Sequence, residues 1–533
     1  MAARKKVLLR FAPLWLAAVL LLTAGWYASA QNDTTVRGDT TVAAPAAPAS
    51  AEDRLQQVAE EAATPTSGVQ AREAPPGPVS GGDVSAAQRA RLAREEASGG
   101  TLAQRAVSLL GLAVFLLMAW LMSVDRRAVN WRPVLWGVGL QFIFGALILL
   151  TDTGRKFFQG ANDVFTALIG YTNEGAKFLF GNLVALNVPV GAAEGPYGPL
   201  AGPTAWANTG ALFAFSVLPT IIFFSSLMTL LYYLGVMQLF VKGFAWLMLR
   251  TMGISGAESL SASGNIFLGQ TEAPLLVKPF VKTMTRSELH SVMTGGFATV
   301  AGGVLAAYVG MLVAYFPNIA GHLIAASVMS APAAVAISKL MYPEKEEPVT
   351  RGEIRVELEK PDANVIDAAA RGASEGLGLA LNVGAMLLAF IALLALLNGL
   401  VGWVAGLFGA ELSIQMILGW LGAPLAWLMG TPWKDALEVG TLIGEKTAIN
   451  EFVAYLHLAE MLQGGSDLSA RSVVIATYAL CGFANFSSIA IQIGGIGGLA
   501  PERRSDLSRL GFRAMIGGTL ASFMTACVVG VLL

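Results

Sequence analysis

The 533-residue sequence contains little charge and almost no cysteine. Asp, Glu, Lys and Arg make up 13% of the residues, against roughly 25% in soluble domains, and the formal net charge is −1. Such a balance gives no basis for a nucleic-acid partner. The two cysteines, Cys481 and Cys527, lie in apolar segments, so no disulfide framework or cysteine metal site is expected. The sequence also lacks a phosphate-binding loop, a zinc motif and a nucleophile–base pair, so nothing in it indicates an enzyme.

The chain is rich in hydrophobic residues. Hydrophobic residues make up 55% of it, and the mean hydropathy is +0.60. We predict an all-α polytopic membrane protein with about eight transmembrane helices, because eight apolar runs approach the roughly 20 residues that span a bilayer. These runs are 104–124, 132–150, 210–234, 291–314, 320–341, 377–401, 472–495 and 509–532. Segments 168–184 and 236–253 mix Lys or Arg with apolar residues and are predicted to be interfacial helices.

The amino-terminal region predicts export of the chain's beginning. Residues 1–30 combine a basic leader, an apolar core and Ala-Ser-Ala before Gln31, as a secretory signal does; an uncleaved signal anchor is the alternative. Residues 31–101 are rich in Ala, Pro, Gly and Ser, which predicts a disordered periplasmic tail. The loop after the first run contains three arginines, which places that loop inside.

Two apolar regions, 255–288 and 434–462, are interrupted by Gly, Pro and polar residues and are predicted to form re-entrant hairpins. Each is followed by a run with a Gly-Phe-Ala triplet, beginning at Gly296 in one case and at Gly482 in the other. The two runs are three crossings apart and therefore run in opposite directions. This pattern predicts inverted repeats, an architecture whose substrate and ion sites lie at broken helices near the middle of the membrane.

The first predicted hairpin contains Gln270, Thr271 and Glu272 beside a helix break. We predict a functional role for Glu272, because an ionisable residue inside the membrane costs about 2.5 kcal/mol or more. The side chain of Asn265 and the backbone carbonyl of Leu268 are hard oxygen ligands that suit sodium. The alternative is that these groups only satisfy the backbone of a kinked helix.

The second predicted hairpin gathers Glu445, Lys446, Asn450 and Glu451. Glu451 precedes an apolar stretch and is predicted to be functional, whereas Glu445 and Lys446 have the alternative of an ion pair at the membrane surface. His457 is expected to be structural rather than a proton site.

The run after the second hairpin places Phe483, Asn485 and Ser488 close together. An aromatic ring, an amide and a hydroxyl suit a ligand with a flat ring and hydroxyl groups. Helix packing through Ser and Gly is the alternative, and it is the one favoured for Ser487.

Three stretches resemble the concentrative nucleoside transporters: GQTEAPL at 269–275, GEK at 444–446 followed by NEFVAY at 450–455, and GFANFSSIAIQIGGIGGLAPERR at 482–504. The resemblance runs from about Leu102 to the end. It implies a homotrimer in the lipid of a bacterial inner membrane. It also implies scaffold helices at 102–254 and an elevator-like transport core, with the remaining scaffold helices, at 255–533.

The resemblance also assigns site residues. It implies that Gln270, Thr271 and Glu272 contact the nucleobase, with Val304 nearby. It implies that the ribose is bound by Glu451, Asn485 and Ser488, with Phe483 lining the site.

Sodium would bind to the side chains of Asn265 and Thr299 and to the backbone oxygens of Leu268 and Val300. Some sodium-coupled members have serine where this chain has Thr299, which leaves proton coupling open. The function implied is a sodium-driven nucleoside symporter without a cofactor. The alternatives are a proton-driven symporter and, from another class, a gated channel or ligand-sensing receptor.

Overall fold

The computed structural model describes Arg91 and residues 100–184, 187–190, 194–195, 198–199, 205–208, 213–352 and 362–533. The predicted signal segment at 1–30 lies outside these ranges. So does the predicted tail at 31–101, apart from Arg91, Gly100 and Thr101.

Helices make up almost all of the described chain. The eighteen α-helices are α1 Leu102–Leu121, α2 Trp131–Leu150, α3 Asp152–Phe180, α4 Phe213–Ser216, α5 Leu218–Tyr233, α6 Val236–Met252, α7 Gly256–Gly264, α8 Lys278–Val281, α9 Arg286–Ala298, α10 Gly302–Leu312, α11 Ile319–Met341, α12 Val365–Gly406, α13 Ile414–Leu428, α14 Trp433–Ala448, α15 Glu451–Gln463, α16 Ala470–Leu480, α17 Phe486–Leu499 and α18 Arg504–Leu532. Three 3-10 helices occupy Gly181–Val184, Ala273–Val277 and Pro501–Arg503.

Four short strands lie between α3 and α4: β1 Asn187–Val190, β2 Glu194–Gly195, β3 Gly198–Pro199 and β4 Ala205–Asn208. Strand β1 pairs antiparallel with β4, with Asn187 opposite Asn208, and β2 pairs with β3. These two small ribbons are the exceptions to the all-α prediction in the described residues.

Within the described ranges, seven helical segments are long and apolar enough to cross a membrane, or eight if one bent pair counts as a span. The prediction of about eight spans is therefore confirmed. The seven are α1, α2, Ala214–Tyr233, Arg286–Leu312, α11, α12 and Pro501–Leu532. Both segments predicted to be interfacial are helical, the first within α3 and its 3-10 extension and the second as α6.

The prediction of one continuous span at 472–495 is wrong. Helix α16 ends at Leu480 and α17 begins at Phe486, so the span is broken in its middle. Gly482 lies in the break at φ 116°, and a Cβ on it would lie 2.6 Å from the backbone oxygen of Phe297. The chain therefore breaks where the two Gly-Phe-Ala triplets cross, at a distance and a backbone angle that only glycine tolerates. The first such span is broken in the same way, between α9 and α10.

Both predicted hairpin regions contain broken helices. In the first, α7 ends at Gly264, and a turn leads into the 3-10 helix Ala273–Val277. In the second, α14 ends at Ala448 and α15 begins at Glu451.

Helix α13 was not predicted; it has 15 residues and is bent by 119° from α14. These two helices pack through small residues, since a Cβ on Gly422 would lie 2.2 Å from the oxygen of Gly440.

Burial separates inner helices from outer ones. In the apolar windows of α11 and α12, 89% and 17% of the residues are buried, respectively. The broken helices α9 and α16 belong to the buried group. Their breaks therefore lie inside the protein, and α12 presents apolar side chains outward.

Candidate functional site

A cavity lies where the breaks in the helices meet. It is bounded by the turn after α7, the start of α10, the start of α15 and the start of α17, with α12 closing one side. All eight residues predicted to bind substrate line it: Gln270, Thr271, Glu272, Val304, Glu451, Phe483, Asn485 and Ser488. Residues far apart in the sequence thus share one space.

Two asparagine caps position the polar groups at the starts of α15 and α17. The side chain of Asn450 accepts a hydrogen bond from the backbone N–H of Val453 at 2.9 Å and so starts α15 with Glu451. The side-chain oxygen of Asn485 accepts from the N–H of Ser488 at 2.9 Å and starts α17. Because the oxygen of Asn485 is used in the cap, its amide nitrogen points away from the helix, towards Glu451.

The carboxylate of Glu451 is buried and held from both sides. Tyr308 donates its hydroxyl to Oε1 at 3.0 Å, and Nδ2 of Asn485 donates to Oε2 at 2.8 Å. Tyr308 is itself fixed, because its ring stacks on Tyr455 with centroids 4.3 Å apart. Each carboxylate oxygen retains acceptor capacity for hydroxyl groups of a ligand.

The turn after α7 contributes the side-chain amide of Gln270, which is also held in place. Nε2 of Gln492 donates to Oε1 of Gln270 at 3.1 Å and to the backbone oxygen of Met293 at 3.1 Å. With its oxygen occupied, Gln270 turns its NH2 group towards Ser488, whose Oγ it reaches at 3.2 Å. The turn after α7 is thereby joined directly to α17.

Glu272 differs from the other carboxylate. Its Oε2 accepts from the N–H of Gly269 at 3.1 Å, and its side chain is exposed rather than buried. Glu272 lines the cavity, where a bound ligand can reach the carboxylate.

The four predicted sodium ligands also lie close together. Asn265 is fully buried, and neither polar atom of its side chain has a hydrogen-bond partner among the described residues. Its Nδ2 lies close to α9, as shown by the 3.0 Å that would separate it from a Cβ placed on Gly295. The backbone N–H of Gly302 donates a hydrogen bond of 3.0 Å to the backbone oxygen of Phe267. This contact brings Leu268 next to the break that contains Thr299 and Val300.

This arrangement suits a hard monovalent cation. Thr299 donates its hydroxyl to the oxygen of Gly295 at 2.9 Å, which leaves the lone pairs of Oγ1 free to bind a cation. The donor set consists of neutral oxygens. No cluster of three His, Cys, Asp or Glu residues able to hold a metal ion occurs in the part of the chain that the structure describes.

Glu445 and Lys446 do not form a surface ion pair, and that alternative is wrong. Both are buried: Glu445 contacts Nδ1 of His457 at 2.9 Å, whereas Nζ of Lys446 donates to the oxygen of Ala479 at 2.8 Å. Successive residues of a helix point in different directions, which explains the separation. The contact between His457 and Glu445 agrees with a structural role for the histidine.

The residues around the site that were not predicted include Tyr308, Gln492 and Ser487. Ser487 lines the cavity and donates to the Asn485 oxygen at 2.7 Å, so it does more than pack helices. Gln492 lies four residues after Ser488, one helical turn further on the same face, and this spacing was a usable signal. Tyr308 lies in an apolar run and carries no local signal.

Comparison with known proteins finds relatives over most of the chain. Three family descriptions match consecutive parts of the chain: "Na+ dependent nucleoside transporter N-terminus" at 110–183, "Nucleoside recognition" at 214–315 and "Na+ dependent nucleoside transporter C-terminus" at 322–530. The solved structure "CNTnw in an inward-facing substrate-bound state" is 46% identical, with a TM-score of 0.71, and the match covers 80% of this chain and 97% of that one. The chain belongs to the concentrative nucleoside transporter family.

Curated relatives of this concentrative nucleoside transporter include an uncharacterized transporter of Haemophilus influenzae, 46% identical over 79% of this chain and 96% of the relative. Solute carrier family 28 member 3 of Mus musculus is 43% identical over 80% of this chain, and the match spans 59% of its length. Sodium/nucleoside cotransporter 1 of the same species is 43% identical over 80% of this chain and 64% of its own. The family is one of transporters rather than enzymes, and its fold and apolar helices make this chain a multi-pass membrane protein.

Proposed function

We propose that this chain imports nucleosides by symport with sodium. The observation that carries the proposal is the cavity into which both broken helical regions direct carboxylates, amides and hydroxyls, with the buried side chain of Asn265 in the turn that contains Gln270. Gln270, Thr271 and Glu272 are assigned to the nucleobase, near Val304. The ribose hydroxyls are assigned to Glu451, Asn485 and Ser488, and Phe483 lines the cavity.

Coupling between the two ligands follows from one short segment. Asn265 and Leu268, two of the four proposed sodium ligands, lie in the same turn as Gln270 and Glu272. Sodium that ties this turn to Thr299 and Val300 also fixes the groups that face the nucleobase. Each ligand should therefore raise the affinity for the other by the same factor.

The wider setting belongs to the same proposal. We assign residues 102–254 to a scaffold and 255–533 to a moving transport core with remaining scaffold helices, in a homotrimer of the bacterial inner membrane with its mature amino terminus in the periplasm. The outward-facing apolar side chains of α12 support contact with lipid or with other copies of the chain. Residues 1–30 are assigned to a signal peptide.

Uptake into proteoliposomes tests the proposal. Labelled uridine and adenosine should accumulate above equilibrium under an inward sodium gradient. A nucleoside without the 3′-hydroxyl should compete at least about tenfold more weakly, because it leaves a buried acceptor unpaired. Accumulation driven by a proton gradient alone would refute sodium coupling but retain symport. Uptake that only reaches equilibrium would indicate a channel, and nucleoside binding without uptake would indicate a receptor.

Gln492→Leu is expected to weaken nucleoside binding roughly tenfold without contacting the ligand in its proposed position. The substitution removes the donor that holds the Gln270 oxygen, so the Gln270 amide is free to rotate away from the cavity. Equilibrium binding of labelled uridine to the purified protein measures the effect.

Gln141→Leu is the matched control. Gln141 is equally buried and donates to Met329 and Thr525, but it does not line the cavity. Equal loss of binding in the two variants, or no loss in Gln492→Leu, would contradict the assigned role of Gln492.

A further inference from the structure

A buried lysine lies at the break of the second broken span. Lys446 has no exposed surface, and its Nζ donates to the oxygen of Ala479 at 2.8 Å and to that of Cys481 at 3.5 Å. These two carbonyls lie at the end of α16. The ammonium group is thus held by backbone carbonyls within the described chain rather than by an adjacent carboxylate.

The position of this charge has a physical reason. The last carbonyls of a helix have no partner within the helix, and together with the helix dipole they give its carboxyl end a partial negative charge. Breaking a span inside a protein therefore creates a buried site for a cation. Lys446 fills that site, and Ser522 completes it by donating to the Cys481 oxygen at 2.8 Å.

The first broken span has the same arrangement, with Asn265 in the place that Lys446 takes in the second. There, the carboxyl end of α9 faces Asn265, which caps the carboxyl end of α7 in the first hairpin region. In the second half, the end of α16 faces Lys446, which lies in the last turn of α14. One hairpin region thus offers a neutral amide that has no partner in the part of the chain that the structure describes, whereas the other offers an ammonium group.

We propose that Lys446 is a tethered cation that takes, in the second half, the role that sodium takes in the first. The inference rests on the proposed sodium symport and deepens it. The ammonium group of Lys446 occupies the break between α16 and α17 in place of a free cation, so Glu451 and Asn485 are held in place without sodium. Sodium then assembles only the side of the cavity that contains Gln270 and Glu272. Lys446 is a positioning residue and does not line the cavity.

Truncation and chemical rescue test the proposal. At a sodium concentration that only just saturates the wild type, Lys446→Ala in the full chain should weaken uridine binding at least about tenfold. Methylammonium chloride should restore most of that loss, since its cation fits the space that the side chain leaves, whereas tetramethylammonium chloride at equal ionic strength should not. In the variant, the sodium dependence of binding should steepen from a Hill coefficient of about one towards about two, because sodium enters the vacated site as well.

Lys446→Met is the matched variant, because it fills the space with a neutral side chain. It should lose affinity as Lys446→Ala does and should respond to neither methylammonium nor extra sodium. Wild-type affinity and an unchanged sodium curve in Lys446→Met would overturn the proposal. A folded Lys446→Ala that methylammonium does not rescue would also overturn it.

Two further measurements cover the remaining cases. If Lys446→Ala does not fold, Lys446→Gln keeps donors for the two carbonyls without the charge, and wild-type binding in it would refute the need for a cation. If the wild type binds uridine without sodium dependence, the proposed symport fails. Thermal unfolding of Lys446→Ala with and without methylammonium then still reports on the lysine: a specific rise in melting temperature supports its role, and an unchanged one refutes it.

Discussion

Glu451→Gln is expected to abolish uptake and to weaken nucleoside binding about 100-fold, the largest effect we anticipate at the site. The carboxylate already accepts from Tyr308 and Asn485, both of which approach as donors. A glutamine has only one oxygen, so one of these donors meets an NH2 group instead of an acceptor. The variant therefore loses the charge that would grip the ribose hydroxyls and also misaligns the groups around it. Equilibrium binding of uridine and uptake into proteoliposomes measure both losses.

Glu445→Gln provides the comparison. Glu445 is a buried carboxylate on α14 that contacts His457 and does not line the cavity. This variant should lose some thermal stability, yet it should bind uridine within about threefold of the wild type. Near-normal binding in Glu451→Gln would rule out a role of the charge in substrate recognition. Equal loss in both variants would point to a general defect in folding.

Asn265→Leu is expected to remove the effect of sodium and, at the same time, to leave the protein at least as stable in sodium-free buffer. Neither polar atom of the buried Asn265 side chain has a partner among the described residues, so an apolar side chain of similar size relieves an unpaired amide. The wild type should gain about 2.7 kcal/mol of stability when sodium exceeds its dissociation constant 100-fold, and the variant should gain almost none. Thermal unfolding in sodium chloride and in choline chloride measures the difference.

Ser259→Ala is a suitable control for Asn265→Leu. Ser259 is a buried residue of α7, the helix that Asn265 caps, and its hydroxyl is satisfied by the oxygen of Ser255 at 2.8 Å. Its loss should leave the stabilisation by sodium intact. If Asn265→Leu retained the full sodium-dependent rise in melting temperature, the cation would have to bind elsewhere in the chain.

The sequence was most informative where polar residues interrupt apolar runs. Gln270, Glu272, Glu451 and Asn485 stand out for that reason, and all four line the cavity. The positions of the hairpin regions were predictable on the same grounds, because glycine, proline and side-chain caps act locally.

The sequence was least informative where tertiary contacts decide the outcome. The break at Gly482 depends on a crossing with Phe297, which no pattern within 472–495 reveals. Tyr308 acquires its role only through Glu451 and Tyr455, and nothing near it in the sequence points to either. Helix α13 was missed because 15 residues are too few to suggest a span, although they suffice for a helix packed against α14.

The crossing of the two broken spans has a consequence for how this sequence can change over time. Any side chain on Gly482 would have to displace the backbone of Phe297 and Ala298. Two of the proposed sodium ligands, Thr299 and Val300, follow one side of that contact, and two of the proposed ribose ligands, Asn485 and Ser488, follow the other. A single substitution there would damage both binding sites at once, although the residue touches neither ligand in the proposed arrangement. The two broken spans therefore have to evolve together, because each limits the substitutions that the other can accept.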